Sequence, residues 1–158
     1  MRTTCLNDPL LIPVIRINCA VYLLDTNVIS QLTKRQPNPG VIAFIEEADD
    51  TESSLYLSVI SVGEINKGIV RLTRHNDLQQ ANRLRQWHNQ LQIDFADFLL
   101  PIDADTTVIW VEILAVTDDT NAIDKLIAAT ALQYGLTLVT RNIDHFAGTG
   151  ARCVNPFN

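Results

Sequence analysis

Short uninterrupted apolar runs alternate along the chain with longer stretches in which apolar residues recur every three or four positions. Val21-Tyr-Leu-Leu24 is the first run, and it closes on Asp25-Thr26-Asn27. That pattern reads as a buried strand delivering a helix N-terminus. Asn38-Pro39-Gly40 marks the next break, with Asn38 as cap and Pro39 at the first helical position of a helix carrying Val41, Ile42, Ile45 and Glu46. Leu55 to Ile60 reads as a second strand. Ser61 then opens a helix whose Val62, Ile65, Ile69 and Leu72 share one face.

The same alternation continues to the end. A helix is expected over Leu78 to Phe95, with Leu84, Trp87, Leu91 and Phe95 at helical spacing. A short strand follows over Leu99 to Ile102, then a helix over Thr106 to Val116. Asn121 is placed to cap a helix from Ala122 to Tyr134, which Gly135 stops. Leu136 to Thr140 is a further apolar strand, and Cys153-Val154 a final edge piece. Strands alternating with helices predict an α/β fold around a mostly parallel sheet. Residues 1–20 stand apart as an N-terminal extension, and residues 21–158 form the domain.

Composition narrows the class. At 158 residues, 47% apolar and 19% charged, the chain has the make-up of one globular domain. No apolar run approaches the roughly 18 residues of a membrane span, and the N-terminus lacks a clean signal-peptide core. A cytoplasmic protein is expected. Cys5, Cys19 and Cys153 have no metal-ligand spacing and read as reduced thiols. His75, His88 and His145 form no helical pair, which argues against zinc. The net charge of −6 opposes a nucleic-acid partner at first sight, since phosphate binding rests on Lys and Arg. Lys67, Arg71, Arg74, Arg83 and Arg85, however, fall in one short stretch, and a metal-loaded acidic site would neutralise part of the charge.

The informative acids are Asp25, Glu64, Asp124 and Asp144. Asp25 ends the first strand, Asp144 follows the strand over Leu136 to Thr140, and Glu64 and Asp124 fall in first helical turns of the expected elements. In open parallel sheets, ligands bind at the carboxyl ends of the strands, where helix N-termini also point. Four carboxylates at one such edge repel each other unless a cation lies between them, and hard oxygen donors suit Mg²⁺ or Mn²⁺. Thr26, Asn27, Thr140 and Asn142 lie beside these acids and are placed to orient carboxylates or waters. Each acid also has a plain structural role open to it. Ser61-Val-Gly-Glu64 and Asn121-Ala-Ile-Asp124 have capping-box form, Asp25 has the chemistry of a helix cap, and Asp144 that of a turn residue. Lys125 reads as a solvated helix charge, Arg141 as a phosphate contact or a surface ion pair, and Trp87 and Trp110 as core or interface residues.

Four segments together resemble the PIN-domain family: Tyr22-Leu-Leu-Asp-Thr-Asn-Val-Ile-Ser30, Leu57-Ser-Val-Ile-Ser-Val-Gly-Glu-Ile65, Ile123-Asp-Lys-Leu-Ile-Ala-Ala-Thr-Ala131 and Gly135-Leu-Thr-Leu-Val-Thr-Arg-Asn142. Within it, the chain is similar to VapC-type toxins of the FitB-like branch, and the closing Asn155-Pro156-Phe157 fits too. The resemblance implies a PIN-like three-layer sandwich, with the sheet between helices, and Mg²⁺- or Mn²⁺-dependent cleavage of RNA. It also implies a homodimer held silent by a cognate antitoxin. By motif, Asp25 and Asp124 match the family's main metal ligands and Glu64 its third acid.

The fourth acid departs from the family pattern. The family commonly places it directly before the Phe or at the Asn of Thr-Arg-Asn. Here those positions hold His145 and Asn142, and the nearby acid is Asp144. The alternative expectation is therefore an inactive PIN-like module that binds RNA or protein. Other carboxylate folds fit less well: a haloacid-type phosphatase wants an acid where Asn27 stands, and a dinucleotide-binding turn needs glycines absent after the first strand.

Overall fold

The computed structural model describes residues 19–157, so of the expected N-terminal extension only Cys19 and Ala20 fall within it. Within those residues, five strands form one parallel sheet: β1 (Val21–Leu24), β2 (Ser54–Ser58), β3 (Leu99–Leu100), β4 (Thr137–Val139) and β5 (Cys153–Val154), in the order β3-β2-β1-β4-β5. Six α-helices connect them: α1 (Thr26–Ile29), α2 (Pro39–Asp50), α3 (Val59–Arg74), α4 (Leu78–Asp94), α5 (Ala104–Val116) and α6 (Ala122–Gln133). The parallel α/β sheet expected from the alternating pattern, and the sandwich that the resemblance implies, are the fold observed.

Neighbouring strand residues point to opposite faces, and the two faces build two cores. Leu24, Leu57 and Val139 meet Val28, Ile29, Val41, Ile65, Ile69 and Leu91 on one side. Leu23 and Leu138 meet Ile113, Ile127, Ala128, Ala129 and Phe146 on the other. The fully buried alanines of α6 let that helix lie close to the sheet. Trp87 packs against the first core and Trp110 against the second, where its Nε1 donates to Ala122 O at 3.0 Å. Both are packing residues, as their spacing predicts. The cations Lys67, Arg71, Arg74, Arg83 and Arg85 lie exposed on α3 and α4. No helix among the described residues is long and apolar enough to cross a membrane.

Helix ends follow the chemistry of their caps. Asn38 Oδ1 accepts from the amides of Gly40 and Val41, at 2.9 and 3.2 Å, with Pro39 just inside α2. Gly135, at φ 65°, takes the left-handed conformation that ends α6, where a Cβ would be strained. Boundaries differ from the sequence pattern in places: β3 stops at Leu100 rather than Ile102, and α5 starts at Ala104, capped by Asp103, rather than at Thr106. The second strand stops at Ser58 rather than Ile60, and Ser58 Oγ caps α3 by accepting from Ile60 N at 3.1 Å. Val59 and Ile60 are β-branched residues continuing an apolar run, so local pattern assigns them to the strand. Pairing with β3 ends at Ser58 opposite Leu100, and the chain turns there.

Candidate active site

Register brings three chain segments to one edge. Leu24 pairs with Leu57 on one side and Val139 on the other, so Asp25, Ser58 and Thr140 follow side by side at the carboxyl ends of the central strands. Asp25 is 4% exposed. Its Oδ1 accepts from Thr26 N at 2.7 Å, capping α1, and its Oδ2 accepts from Asn27 Nδ2 at 2.5 Å and Thr140 Oγ1 at 2.7 Å. Asn27 holds the edge together from both ends of its amide: Nδ2 also reaches Thr140 Oγ1 at 3.3 Å, and Oδ1 accepts from Arg141 N at 3.0 Å.

Burial pushes the Asp25 carboxyl up to about 6, against the opposing hydrogen bonds from Thr140 and Thr26; the charges of Asp124 and Glu64 push it further up. Asp25 thus feels both other acids.

Glu64 is the sixth residue of α3, because that helix begins at Val59. It therefore cannot form the capping box with Ser61 that the sequence allows. Ser61 lies inside the helix, with its buried Oγ unpaired among the described residues. Glu64 instead accepts a hydrogen bond from Thr26 Oγ1, across from α1. Asp124 is likewise free of a capping role, since Asn121 adopts a left-handed φ of 52° and its side chain makes no cap bond. Asp124 Oδ2 sits 2.7 Å from His145 Nδ1, and against a carboxylate that nitrogen is the donor.

Three residues correct the sequence reading. Lys125 is 4% exposed rather than solvated. Its Nζ donates to Asp118 O at 2.6 Å and to Asp118 Oδ1 at 2.5 Å, which pins the turn leading into α6. That bond, followed by those from Thr120, holds the Asp118 carboxyl down to about 2. Arg141 forms no ion pair among the described residues; its guanidinium lies over the Phe157 ring, 5.5 Å from the centroid. Asn142 acts through its backbone, donating N–H to Thr140 Oγ1 at 3.1 Å, while its side chain is exposed.

Asp144 lies exposed on the short 3₁₀ turn Ile143–Phe146, and its side chain has no hydrogen bond or ion pair among the described residues. Its neighbour His145 is the one that reaches Asp124. Position 145, where the family commonly carries an acid, thus holds a histidine that binds an acid rather than a zinc ion.

Asp25, Glu64 and Asp124 could hold a divalent ion by the chemistry of their donors: oxygen ligands, mutually repelling, one of them buried. Among the described residues no three acidic, histidine or cysteine side chains form a ready-made coordination group. Glu64 is held by Thr26 and Asp124 by His145.

Five parallel strands with carboxylates at the shared carboxyl edge make an α/β domain with a candidate divalent-metal site. The chain belongs to the PIN domain family, whose sequence model matches residues 22–150. It is similar to the toxin FitB of Neisseria gonorrhoeae, at 34% identity over 87% of this chain and 99% of that protein. It is also similar to the VapC ribonuclease Y4jK of Sinorhizobium fredii, at 30% identity over 87% and 98% of the two chains. The crystal structure of FitAcB from Neisseria gonorrhoeae superposes with a TM-score of 0.75 at 33% identity, covering 87% of this chain and 99% of that one.

Proposed function

We propose that this protein is the toxin of a type II toxin–antitoxin pair, an endoribonuclease that hydrolyses RNA phosphodiester bonds with Mg²⁺ or Mn²⁺. The observation that carries the reading is the register that sets Asp25 and Thr140 side by side at the carboxyl edge of the sheet, with Glu64 tied to Thr26 next to Asp25. The resemblance to a ribonuclease and to a toxin over nearly their whole lengths supports it.

In this reading Asp25 and Asp124 hold the ion and Glu64 binds it or an adjacent water. A bound divalent ion would neutralise the cluster, acidify the attacking water and stabilise charge on the leaving oxygen. The chain's own contribution is orientation. Thr140 and Asn27 fix Asp25, Thr26 holds Glu64, and His145 holds Asp124. Asp144, one residue from His145, is the fourth acid of the proposal. Residues 21–158 form the catalytic domain. The protein works in the cytoplasm as a homodimer, silenced by a cognate antitoxin.

The test is 5′-end sequencing of total cellular RNA after brief induction, wild type against Asp25→Asn. New discrete ends in the wild type alone support the proposal. Identical profiles, with folded toxin present and no antitoxin co-expressed, would leave an inactive module that binds RNA or protein.

A further inference from the structure

A chain of net charge −6 that handles RNA must gather its cations where the strand runs. Beside the carboxylate edge lies an open cleft of about 500 Å³, and among the described residues no acidic one lines it. Lys34 and Arg141 supply two cations to its wall, Phe157 an aromatic ring, and Gln31 and Asn38 polar groups. The cleft shares a wall with the site: Arg141 follows Thr140 and donates its amide to Asn27, which in turn donates to Asp25.

The wall is built rather than loosely exposed. Asn155 Nδ2 donates to Arg141 O at 3.3 Å, and Asn155 Oδ1 accepts from Phe157 N at 2.9 Å. Asn38 Nδ2 donates to Phe157 O at 3.4 Å. Both backbones are thereby tied down, and the Arg141 guanidinium rests over the Phe157 ring. Gln31 is 5% exposed; its Oε1 accepts from Asn38 N at 3.2 Å, which leaves its Nε2 without a partner among the described residues. An amide donor open to the cleft, two cations and a guanidinium held over an aromatic ring form a set that takes a phosphate together with a base stacked on the guanidinium. The closing Asn155-Pro156-Phe157 thus acquires a purpose: it seats the ring beneath Arg141.

We infer that the cleft between Lys34, Gln31, Arg141 and Phe157 is the subsite for a nucleotide adjoining the cleaved bond in single-stranded RNA. The inference deepens the ribonuclease reading and rests on it.

The experiment measures anisotropy of a fluorescein-labelled, randomised single-stranded RNA on full-length protein carrying Asp25→Asn, with Mg²⁺ present. Lys34→Ala with Arg141→Ala is expected to weaken binding about tenfold or more, and to lower the log–log salt slope by about 1.4. Phe157→Leu, which keeps an apolar side chain against the core, is expected to weaken binding about tenfold without changing the salt slope. Mn²⁺ affinity, measured in the wild-type background, stays unchanged in all of them. Unchanged RNA affinity and slope in the double variant overturn the subsite, even where wild-type protein cleaves RNA. Variants that keep RNA binding but lose an antitoxin tail reassign the cleft to a protein partner, which also overturns it. Wild-type protein that binds RNA through the cleft but cleaves none with Mg²⁺ or Mn²⁺ fails the ribonuclease reading instead.

Discussion

His145 Nδ1 lies 2.7 Å from Asp124 Oδ2, joining the 3₁₀ turn after β4 to the first turn of α6. The imidazole side chain is 41% exposed and the carboxylate 24%, so the contact sits at the rim of the site. It occupies the position where the PIN family commonly carries a further acid. A donor there steadies one oxygen of Asp124 and leaves the other for an ion. His145→Ala is expected to weaken Mn²⁺ binding about tenfold, the lower range for losing a partner that orients a ligand. His145→Asn, whose amide nitrogen stands near the place of Nδ1, should recover most of that loss. Manganese titration followed by electron paramagnetic resonance decides it, and equal affinity in wild type and His145→Ala would remove the orienting role.

The Asp25 carboxyl makes the metal-free protein sensitive to pH. Folding raises its pKa from 3.8 to about 6, so the folded chain holds this proton more tightly than the unfolded chain does. The associated stability is fully present below pH 3.8 and is lost as pH rises through about 6. Thermal unfolding in EDTA should therefore show a weaker fold at pH 8 than at pH 5, by about 1.4 kcal/mol from this group. Asp25→Asn should flatten that dependence while abolishing cleavage. A wild-type melt that does not change between the two pH values would contradict the burial argument.

How much of this was legible in the sequence varied with the range of the interaction. Asp25 declared itself because an acid straight after a buried apolar run has few other uses, whereas the pairing of β1 with β4 appears only in the folded sheet. Glu64 was located correctly, but with the wrong helix start. A Ser at position 58 and a Ser at position 61 offer the same capping chemistry, and only pairing with β3 selects the first. The fate of Lys125 depended on Asp118, seven residues back through an irregular turn, which no periodicity encodes. His145 was visible as a departure from a motif. Its bond to Asp124 spans 21 residues and appears only once α6 and the turn are packed together.

Lys125 carries the next prediction. Its buried ammonium holds the turn that enters α6 one residue after Asp124. Lys125→Met keeps the length of the side chain and removes the charge. Loss of a charge-assisted hydrogen bond of this kind costs about 2 kcal/mol. Urea unfolding should show that loss as a lower midpoint at an unchanged slope. Because the turn positions Asp124, cleavage should also slow. A variant as stable as wild type would mean the tether is compensated by the turn's own Thr120–Asp118 bonds.

Thr140 separates the two influences acting on Asp25. Its hydroxyl donates to Asp25 Oδ2 at 2.7 Å and accepts from Asn142 N and Asn27 Nδ2, so one oxygen organises the whole edge. Thr140→Val preserves the shape and burial of the side chain and deletes those bonds. The Thr140 hydrogen bond is the strongest influence holding the Asp25 carboxyl down against burial, so removing it raises the pKa above its present value of about 6. In metal-free protein the carboxyl stretch of Asp25, followed by difference infrared spectroscopy against Asp25→Asn, should titrate at higher pH in the variant. With ions present, a more tightly held proton competes with the cation, so Mn²⁺ affinity near neutral pH should fall and recover as pH is raised. An affinity loss that persists unchanged at high pH would instead assign Thr140 a purely geometric role.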